Sequence, residues 1–391
     1  MNPRERWLRA MRSPKVPAGP PDRVPLDLPG LVCTTRQGID RLEDPRRRRL
    51  AERAFGHVVF RAAVPSHTNR MLVTPPQRIH ETRQPLPDGR TRILGTIDTP
   101  LGELHYVNEH DPVSQTGWHV EYPVKDRSDI DKIVSVPWEP PTAAPPPIVD
   151  DVAAGSDDAV AMTETEAFRE RGILDTRISS PFVCAAGMMA YQMFLELCAT
   201  DLPLCEELTE ICRRRTMDCL AVALGAGDLD CVWMGGSEWL TPPMASPRIY
   251  EALVQEQERC VIEYVHENSD AVVHVHCHGR VRDALPRTIA RGGDYTEPVE
   301  PPPDGDITLA EAKEVAAGRI TLGGNIEARL LANESEDDVE AAVRAAFEGP
   351  NDRFVLRPTE SFSRLDEREF RNHMRMLDVW EELSPLDASG I

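Results

Sequence analysis

Residues 292–331 read GGDYTEPVEPPPDGDITLAEAKEVAAGRITLGGNIEARLL and contain a complete strand–helix–strand unit. The segments DYTEPVE and RITLGGNIE have the short apolar pattern of buried strands, and a helical pattern lies between them near residues 308–317. A strand, a helix and a second strand in succession favour parallel pairing of the two strands through a right-handed crossover. This stretch therefore predicts one unit of a parallel α/β fold.

The same alternation of strands and helices continues through the chain from about residue 159. The other strand-like segments are AVAM, ILDTRISSPF, CVWMGG, DAVVHVHCHG and RFVLRP, and VPLDL near the start brings the count to eight. Helices are predicted near residues 187–199, 201–224, 280–291 and 335–348, from Ser246 as N-cap with Pro247 at the first helical position, and from about Asp366. Eight units predict a single (β/α)8 TIM barrel, whose functional residues lie at the carboxyl ends of the strands. A doubly wound open sheet is the alternative, but no GxGxxG follows the first strand.

The first 150 residues are irregular and rich in proline. We expect residues 1–150 to supply the first strand together with an insertion and a connector that belong to the barrel, whose main part is residues 151–391. TPLGELHYV and GWHVEYPV have the pattern of hairpin strands. VPWEPPTAAPPPIVDD has too many prolines to be helical and is interpreted as a surface strap, with a domain linker as the alternative.

The charge and hydropathy of the chain exclude several classes of partner. A formal net charge of −21 at pH 7 makes nucleic acid and anionic membrane surfaces repulsive partners. The sequence has no transmembrane pattern, and the charged start MNPRERWLRAMRS lacks the apolar run of a secretory signal. We therefore expect a cytoplasmic protein that acts on a small molecule, and we leave the oligomeric state open, with a homodimer as one alternative.

Four cysteines recur every seven residues, namely Cys198, Cys205, Cys212 and Cys219. In a helix the last three share one stripe, where free cysteine behaves as a small buried hydrophobe. No CxxC motif is present, so we interpret this pattern as core packing by reduced thiols rather than as a metal or disulfide site.

Three histidines fall within five residues of the strand DAVVHVHCHG. Side chains alternate along a strand, so His274, His276 and His278 share one face and Cys277 lies on the other. Two imidazoles at positions i and i+2, here His276 and His278, can hold one divalent ion, usually zinc. The alternative is a set of histidines hydrogen-bonded to carboxylates and acting as proton carriers.

Polar residues follow several of the other predicted strands. We expect Glu300 and Glu360 to join the two histidines as ligands, because two histidines with one or two carboxylates leave the open position that a catalytic zinc requires. Glu238 and His274 are candidates for acid–base catalysis. Trp239, Arg248 and Asn325 are predicted to bind substrate, and Arg248 could also be an ordinary ion-pair residue on the first turn of its helix.

These motifs give the chain a resemblance to the uroporphyrinogen decarboxylase superfamily. The resemblance is carried by SEWLTPPMASPR, HVHCHGRV, the stretch 292–331 quoted above and SEDDVEAAVRAAFE, which together span about residues 230–348. The regions flanking them, from 24 to 380, fit more loosely. The resemblance implies a single-domain (β/α)8 barrel and one of two activities.

One branch of the superfamily comprises corrinoid-dependent methyltransferases, whose zinc motif is H-x-C, an acidic residue at the next strand and a cysteine after the last strand. His276 matches the histidine, His278 replaces the first cysteine, Glu300 falls near the acidic position and Glu360 near the last cysteine. Histidine and glutamate make zinc a harder Lewis acid than thiolates do, so an oxygen-bearing substrate fits this ligand set better than a thiol. The resemblance therefore implies zinc-dependent methyl transfer between a small oxygen-bearing substrate and a corrinoid supplied by a carrier protein.

The other branch comprises the true uroporphyrinogen decarboxylases, which use no metal and bind substrate carboxylates through arginines in an N-terminal RQAGR stretch. This chain has TTRQGIDRL, in which Arg36 and Arg41 are spaced differently. Metal-free decarboxylation, with Arg36 and Arg248 orienting carboxylates and His276 carrying a proton, is the alternative function. A non-catalytic tetrapyrrole- or corrinoid-binding barrel is a lesser alternative, because the D-x-H-x-x-G motif of a corrinoid carrier is absent.

Overall fold

The structure, a computed structural model, describes residues 1–31, 35–112, 116–149, 165–362 and 365–386. Seven parallel strands form one curled sheet, and a short strand is added antiparallel at one edge. A second sheet is a four-stranded antiparallel meander. The strands in chain order are β1 (Phe60–Pro65), β2 (Ile79–Pro85), β3 (Thr91–Ile97), β4 (Leu104–Asp111), β5 (Thr116–Glu121), β6 (Ile148–Val149), β7 (Gly172–Ser179), β8 (Cys231–Gly235), β9 (Val272–His276), β10 (Tyr295–Glu297), β11 (Thr321–Ile326) and β12 (Phe354–Pro358).

Helices separate the strands of the curled sheet, as the alternating sequence pattern predicts. The order across this sheet is β6-β1-β7-β8-β9-β10-β11-β12. The helices are α1 (Pro3–Ala10), α2 (Arg36–Arg41), α3 (Pro45–Ala54), α4 (Arg127–Val134), α5 (Glu166–Arg171), α6 (Pro181–Ala186), α7 (Tyr191–Thr200), α8 (Leu202–Gly225), α9 (Pro247–Tyr250), α10 (Glu256–Asn268), α11 (Ala284–Ala290), α12 (Leu309–Ala316), α13 (Ala328–Asn333), α14 (Glu336–Ala346) and α15 (Glu367–Leu383). A π-helical turn, Glu251–Gln255, joins α9 to α10, and short 3-10 turns span Pro76–Arg78 and Ser237–Leu240.

Local capping signals in the sequence set several helix starts. Ser246 accepts the backbone N–H of Ile249 at the start of α9, and Thr308 forms a capping box with Glu311 at the start of α12. Asp366 caps α15. These helix starts confirm the predicted ones. They can be predicted from the sequence because a cap depends only on residues within one turn of each other.

The prediction of an eight-stranded barrel is confirmed in part: the structure has a curled sheet of seven parallel strands. VPLDL, predicted as the first strand, contributes isolated parallel bridges rather than a regular strand: Leu26 pairs with Leu356 of β12 and with Val58 just before β1. The backbone N–H of Asp27 donates to the Leu356 carbonyl at 3.0 Å.

Four strands, β1, β2, β3 and β6, were not identified from the sequence, and one prediction falls outside the described residues. β1 lies inside the irregular first 150 residues, where Arg61 interrupts its apolar pattern, yet it pairs in parallel with β7 over six residues from Phe60 to Pro65. AVAM, residues 159–162, lies outside the described part of the chain.

The insertion forms the meander, and the two predicted hairpin segments contribute to it as β4 and β5. The proline-rich connector has no helix over residues 136–147, as expected, and its end, Ile148–Val149, pairs antiparallel with β1. None of the helices in the described ranges is both long enough and apolar enough to span a membrane.

The cysteine stripe lies in the core, as predicted. Cys205, Cys212 and Cys219 on α8 and Cys198 on α7 are free and buried. They pack in one hydrophobic cluster with side chains of α6.

We expect Cys212→Ser to lower the free energy of unfolding by about 1–3 kcal/mol, because it buries a hydroxyl where an apolar thiol packs. The half-exposed Cys260 provides the matched control, and Cys260→Ser should leave stability within about 0.5 kcal/mol of wild type. Urea denaturation followed by circular dichroism measures both changes. Equal effects of the two substitutions would contradict the core assignment.

Candidate active site

A buried carboxylate, Glu297, joins two of the predicted histidines at the carboxyl edge of the curled sheet. β9 and β10 are parallel neighbours whose register places Tyr295 beside His274 and Glu297 beside His276. His274 Nε2 and His276 Nδ1 each donate to Glu297 Oε1 at 2.8 Å. The two rings therefore share one face of β9, as strand alternation predicts. Cys277 is buried in a hydrophobic cluster, consistent with its prediction as a packing residue.

An arginine from the last strand neutralises this carboxylate. Arg357, on β12, forms an ion pair with Glu297 Oε2, and both side chains are buried. Burial by itself raises the pKa of Glu297, but Arg357 and the two histidines hold that pKa well below its usual range. Burial lowers the pKa of His274 to about 4, despite its hydrogen bond to Glu297. His274 is therefore a neutral hydrogen-bond donor to an ionised Glu297.

The third histidine has its own carboxylate partner. His278 Nδ1 donates to Glu300 Oε1 at 2.9 Å, and the backbone N–H of Gly279 donates to Glu300 Oε2. Burial lowers the pKa of His278, but Glu300 and the carboxylates nearby raise it above its ordinary value overall. Burial raises the pKa of Glu300, whereas His278 and the Gly279 N–H lower it to a greater extent.

The rings of His276 and His278 lie with their centroids 4.5 Å apart and an interplanar angle of 84°. Each ring uses Nδ1 for a carboxylate, and within the described residues Nε2 of neither ring has a hydrogen-bond partner. Metal-binding histidines are commonly held in this way, with the second ring nitrogen donating to a carboxylate. Across the described ranges, however, no group of three or more histidine, cysteine, aspartate or glutamate side chains is arranged so that it could hold a metal ion. The pair thus fits two positions of a metal site, and the predicted ligand Glu300 serves as the partner of His278.

Glu238 lies in the loop after β8 and is positioned by a buried network below it. Its neighbour Ser237 donates to Glu258 at 3.0 Å, and Arg291 donates to Ser237 Oγ at 3.2 Å. Arg291 and Glu258 form an ion pair at 2.9 Å, and neither has any exposed surface. Glu238 Oε2 is buried without a hydrogen-bond partner among the described residues, and burial raises the pKa of this carboxyl. Gly235 at the end of β8 pairs with His276 of β9, so Glu238, three residues beyond Gly235, follows β8 at the same edge of the sheet as the histidines.

His274 and His276 line a cavity of about 350 Å³, here called the arginine pocket. Three arginines line it, and each has a carboxylate partner: Arg357 pairs with Glu297, while Arg61 and Arg177 pair with Asp175 at 3.3 and 3.6 Å. The described residues that line this cavity are Asp27, Leu28, Pro29, Gly30, Leu31, Val59, Phe60, Arg61, Asp175, Arg177, Trp233, His274, His276, Glu297, Arg357 and Ser361. Paired guanidinium groups in such a pocket can bind the carboxylate or other oxygen groups of a small molecule.

Polar atoms buried beside this pocket lack partners. His274 Nδ1 and the Tyr295 hydroxyl have no hydrogen bond to any described residue, although the two rings lie 4.3 Å apart. Buried polar groups of this kind ordinarily bond to water or to a ligand. The interior of the curled sheet can therefore accept further polar groups.

The remaining predicted residues do not line the arginine pocket. Glu360 follows β12 and is exposed. The pKa of Glu327 is raised to about 6, mainly by burial and then by the charges of Glu300 and Asp304, and the charge of Glu360 makes a smaller contribution. Arg248 is exposed on α9, and Asn325 is half-buried on β11; neither lines the arginine pocket. Trp239 lines a separate cavity together with Glu238.

Several site residues escaped the sequence analysis. Glu297 was given no role in the sequence analysis, because the β9–β10 register that pairs it with His276 cannot be read from alternation within one strand. Arg61, Arg177 and Arg357 sit within strands, at positions where the sequence gives no signal beyond a charge interrupting an apolar run.

The protein has an α/β fold with a curled parallel sheet, and titratable side chains lie at the carboxyl edge of that sheet. In α/β enzymes the active site lies at this edge. The chain belongs to the uroporphyrinogen decarboxylase (URO-D) family, whose model matches residues 113–359. Membership of this family indicates an enzyme.

Two solved structures illustrate the similarity. A methyltransferase from Methanosarcina mazei is 15% identical with a TM-score of 0.60, over 98% of this chain and 99% of that one. A B12-independent methionine synthase from Shewanella sp. W3-18-1, in complex with selenomethionine, is 12% identical with a TM-score of 0.36, over 61% of this chain and 70% of that one. The first likeness, at its low identity, is a likeness of fold. No curated protein matches the sequence.

Proposed function

We propose that this protein is a metal-dependent methyltransferase of the URO-D family. In this proposal it moves a methyl group between a small oxygen-bearing substrate and a corrinoid held by a separate carrier protein. The observation that carries the proposal is the pair of adjacent histidines, each fixed by a carboxylate on Nδ1. Glu297 holds His276, Glu300 holds His278, and Nε2 of each ring has no partner among the described residues.

His276 and His278 would bind the metal through Nε2, and Glu297 and Glu300 would fix the orientation of the two rings. A bound zinc ion would supply Lewis acidity at the oxygen that leaves the methyl group. Glu360, the other predicted ligand, is exposed, so we assign the remaining coordination positions to water or to the substrate oxygen.

The protein's own groups would bind and orient the substrate. Arg61 lies beside both Asp27 and Asp175, and Arg177 lies beside Asp175, so the guanidinium N–H groups that these carboxylates do not use can donate to an oxygen of the substrate. Glu238, whose pKa is raised by burial, would hold a proton for the leaving oxygen. His274 would act on Glu297 rather than on the substrate, because its Nε2 is engaged there.

We also propose that the seven-stranded sheet closes as an eight-stranded barrel. Support comes from Leu26, which bridges to Leu356 of β12 on one side and to Val58, two residues before β1, on the other. Closure would place β1 and β12 on either side of this segment, and residues of both strands, Arg61 and Arg357, line the arginine pocket.

Metal analysis of the purified protein tests the site. We expect about one zinc ion per chain, and we expect His276→Ala and His278→Ala to weaken zinc binding at least about tenfold, since each removes a nitrogen ligand. His80→Ala is the control, because His80 is an exposed histidine on β2 paired with Asp98. Wild-type protein without stoichiometric divalent metal, or a His276→Ala variant that binds as much as wild type, would refute the assignment.

Metal-free decarboxylation is the second candidate, and the observation that favours it is the three arginines of one pocket. Each of them is already paired with a carboxylate, which leaves little free cation for a substrate with many carboxylates. Incubation with uroporphyrinogen decides between the two, and formation of coproporphyrinogen would reverse our preference. Methyl transfer is measured directly as the loss of the methyl group from methylcobalamin, which changes the absorbance of the corrinoid.

A further inference from the structure

A second cavity, of about 400 Å³, lies between the insertion and the loop after β8; we call it the aromatic cavity. Six of its lining residues carry rings or charges: Arg70, His119, Tyr122, Tyr191, Glu238 and Trp239. It has no lining residue in common with the arginine pocket. His119 and Tyr122 come from the end of the meander, so the insertion supplies one wall of the cavity.

The walls of this cavity present two pairs of rings. Tyr191 and Trp239 meet edge to face with centroids 5.5 Å apart, and His119 and Tyr122 are stacked at 4.5 Å. His119 is exposed and the other three rings are half-buried, so none of the four belongs to the closed core. Aromatic side chains that are not covered by the fold bind flat apolar groups well, because stacking and edge contacts add to the burial of area.

One free cation stands beside these rings. Arg70 is exposed, and its guanidinium lies 5.4 Å from the centre of the Trp239 ring. Among the described residues it forms no ion pair, and its hydrogen bond to Ser179 Oγ is long, at 3.4 Å. In a chain with a net charge of −21, an arginine without a carboxylate partner is available for an anion from outside.

A polar atom without a partner also borders this cavity. Glu238 lines it, and Glu238 Oε2 is buried with no hydrogen bond to any part of the chain that the structure describes. A buried carboxyl oxygen left without a partner is costly, so a ligand that supplies one is favoured. The network of Ser237, Glu258 and Arg291 fixes the backbone of this loop from below.

We propose that the aromatic cavity binds a flat aromatic acid that carries a hydroxyl group opposite its carboxylate. The ring lies against Trp239, Tyr191 and Tyr122, the carboxylate pairs with Arg70, and the hydroxyl donates to Glu238 Oε2. A cationic ligand is disfavoured by Arg70, and an aliphatic one leaves the ring faces unused. The inference goes beyond the methyl transfer proposed above. The two proposals share Glu238, but this one concerns equilibrium binding at a cavity that has no lining residue in common with the arginine pocket.

Isothermal titration calorimetry with 4-hydroxybenzoate as the probe tests the site on the full-length protein. Three related compounds each remove one feature: 4-hydroxybenzamide lacks the charge, benzoate lacks the hydroxyl group, and tyramine reverses the charge. We expect 4-hydroxybenzoate to bind tightest, 4-hydroxybenzamide and benzoate to bind about tenfold more weakly or worse, and tyramine to bind weakest.

Variants of exposed arginines identify the location of binding. Arg70→Gln should weaken the binding of 4-hydroxybenzoate about tenfold or more. Because the Arg70 side chain is exposed, the substitution should leave the fold intact. Arg248→Gln, another exposed arginine, and Arg177→Gln, in the arginine pocket, should leave the affinity unchanged. No binding of 4-hydroxybenzoate at millimolar concentration, equal binding of the amide, or loss of binding in Arg177→Gln instead of Arg70→Gln would each overturn the inference. None of these readouts requires turnover or metal, so failure here refutes binding at the aromatic cavity, whereas the zinc measurements on His276→Ala and His278→Ala test the proposed methyltransferase site separately.

Discussion

Replacing Glu297 with glutamine is expected to lower the free energy of unfolding by about 3–5 kcal/mol, because it leaves Arg357 charged and buried without its partner. Both side chains are buried, and Arg357 is paired with Glu297 Oε2. The amide also presents a donor where an acceptor is needed, since Glu297 Oε1 accepts from His274 and His276 at 2.8 Å. Urea denaturation measures the stability change.

The same substitution should release the His276 ring. If His276 binds a metal as we propose, Glu297→Gln should weaken zinc affinity about 10- to 100-fold, the usual effect of removing a carboxylate behind a histidine ligand. The matched control is Glu360→Gln at an exposed carboxylate beyond β12, which should change stability by less than about 0.5 kcal/mol.

A double variant distinguishes the effect of losing the Glu297–Arg357 ion pair from the effect of burying a lone charge. Glu297→Gln with Arg357→Met removes both charges, and we expect it to be more stable than Glu297→Gln alone. If the single variant is as stable as Glu360→Gln, Glu297 is not the centre of the site.

Arg291→Met is the second substitution with a large expected effect, again about 3–5 kcal/mol of destabilisation. Arg291 and Glu258 have no exposed surface, and the substitution leaves the Glu258 carboxylate buried with only hydroxyl partners such as Ser237. It also removes a hydrogen bond to the Tyr250 hydroxyl at 3.0 Å. The loop that carries Glu238 rests on this network, so ligand binding in the aromatic cavity should weaken as well.

Exposed and doubly substituted variants provide the controls for this second prediction. Arg344→Met breaks an exposed pair with Glu382 at 3.0 Å and should cost less than about 1 kcal/mol. Glu258→Gln combined with Arg291→Met should be closer to wild type than Arg291→Met alone. A small effect of Arg291→Met, comparable to that of Arg344→Met, would show that water reaches Glu258.

Sequence alone predicted most of the elements from about residue 172 to the last helix. Capping residues such as Ser246, Thr308 and Asp366 fix helix starts through contacts within a single turn. Strand alternation placed His274 and His276 on one face and Cys277 on the other, and the hydrogen bonds and packing agree. It did not predict β1, because Arg61 breaks the apolar pattern and its partner strand β7 lies more than 100 residues away.

The chain by itself determined its parallel α/β class, the helix starts set by capping residues, and the fact that His274 and His276 face the same way, because these follow from residues close together in sequence. Only the tertiary structure decided that Glu297 pairs with His274, His276 and Arg357, since this depends on the register of β9 and β10 and on how far the sheet curls towards β12. It also decided that Arg70 stands over Trp239 at the aromatic cavity. Local patterns carry no information on register or closure, because both are set by the simultaneous packing of distant segments.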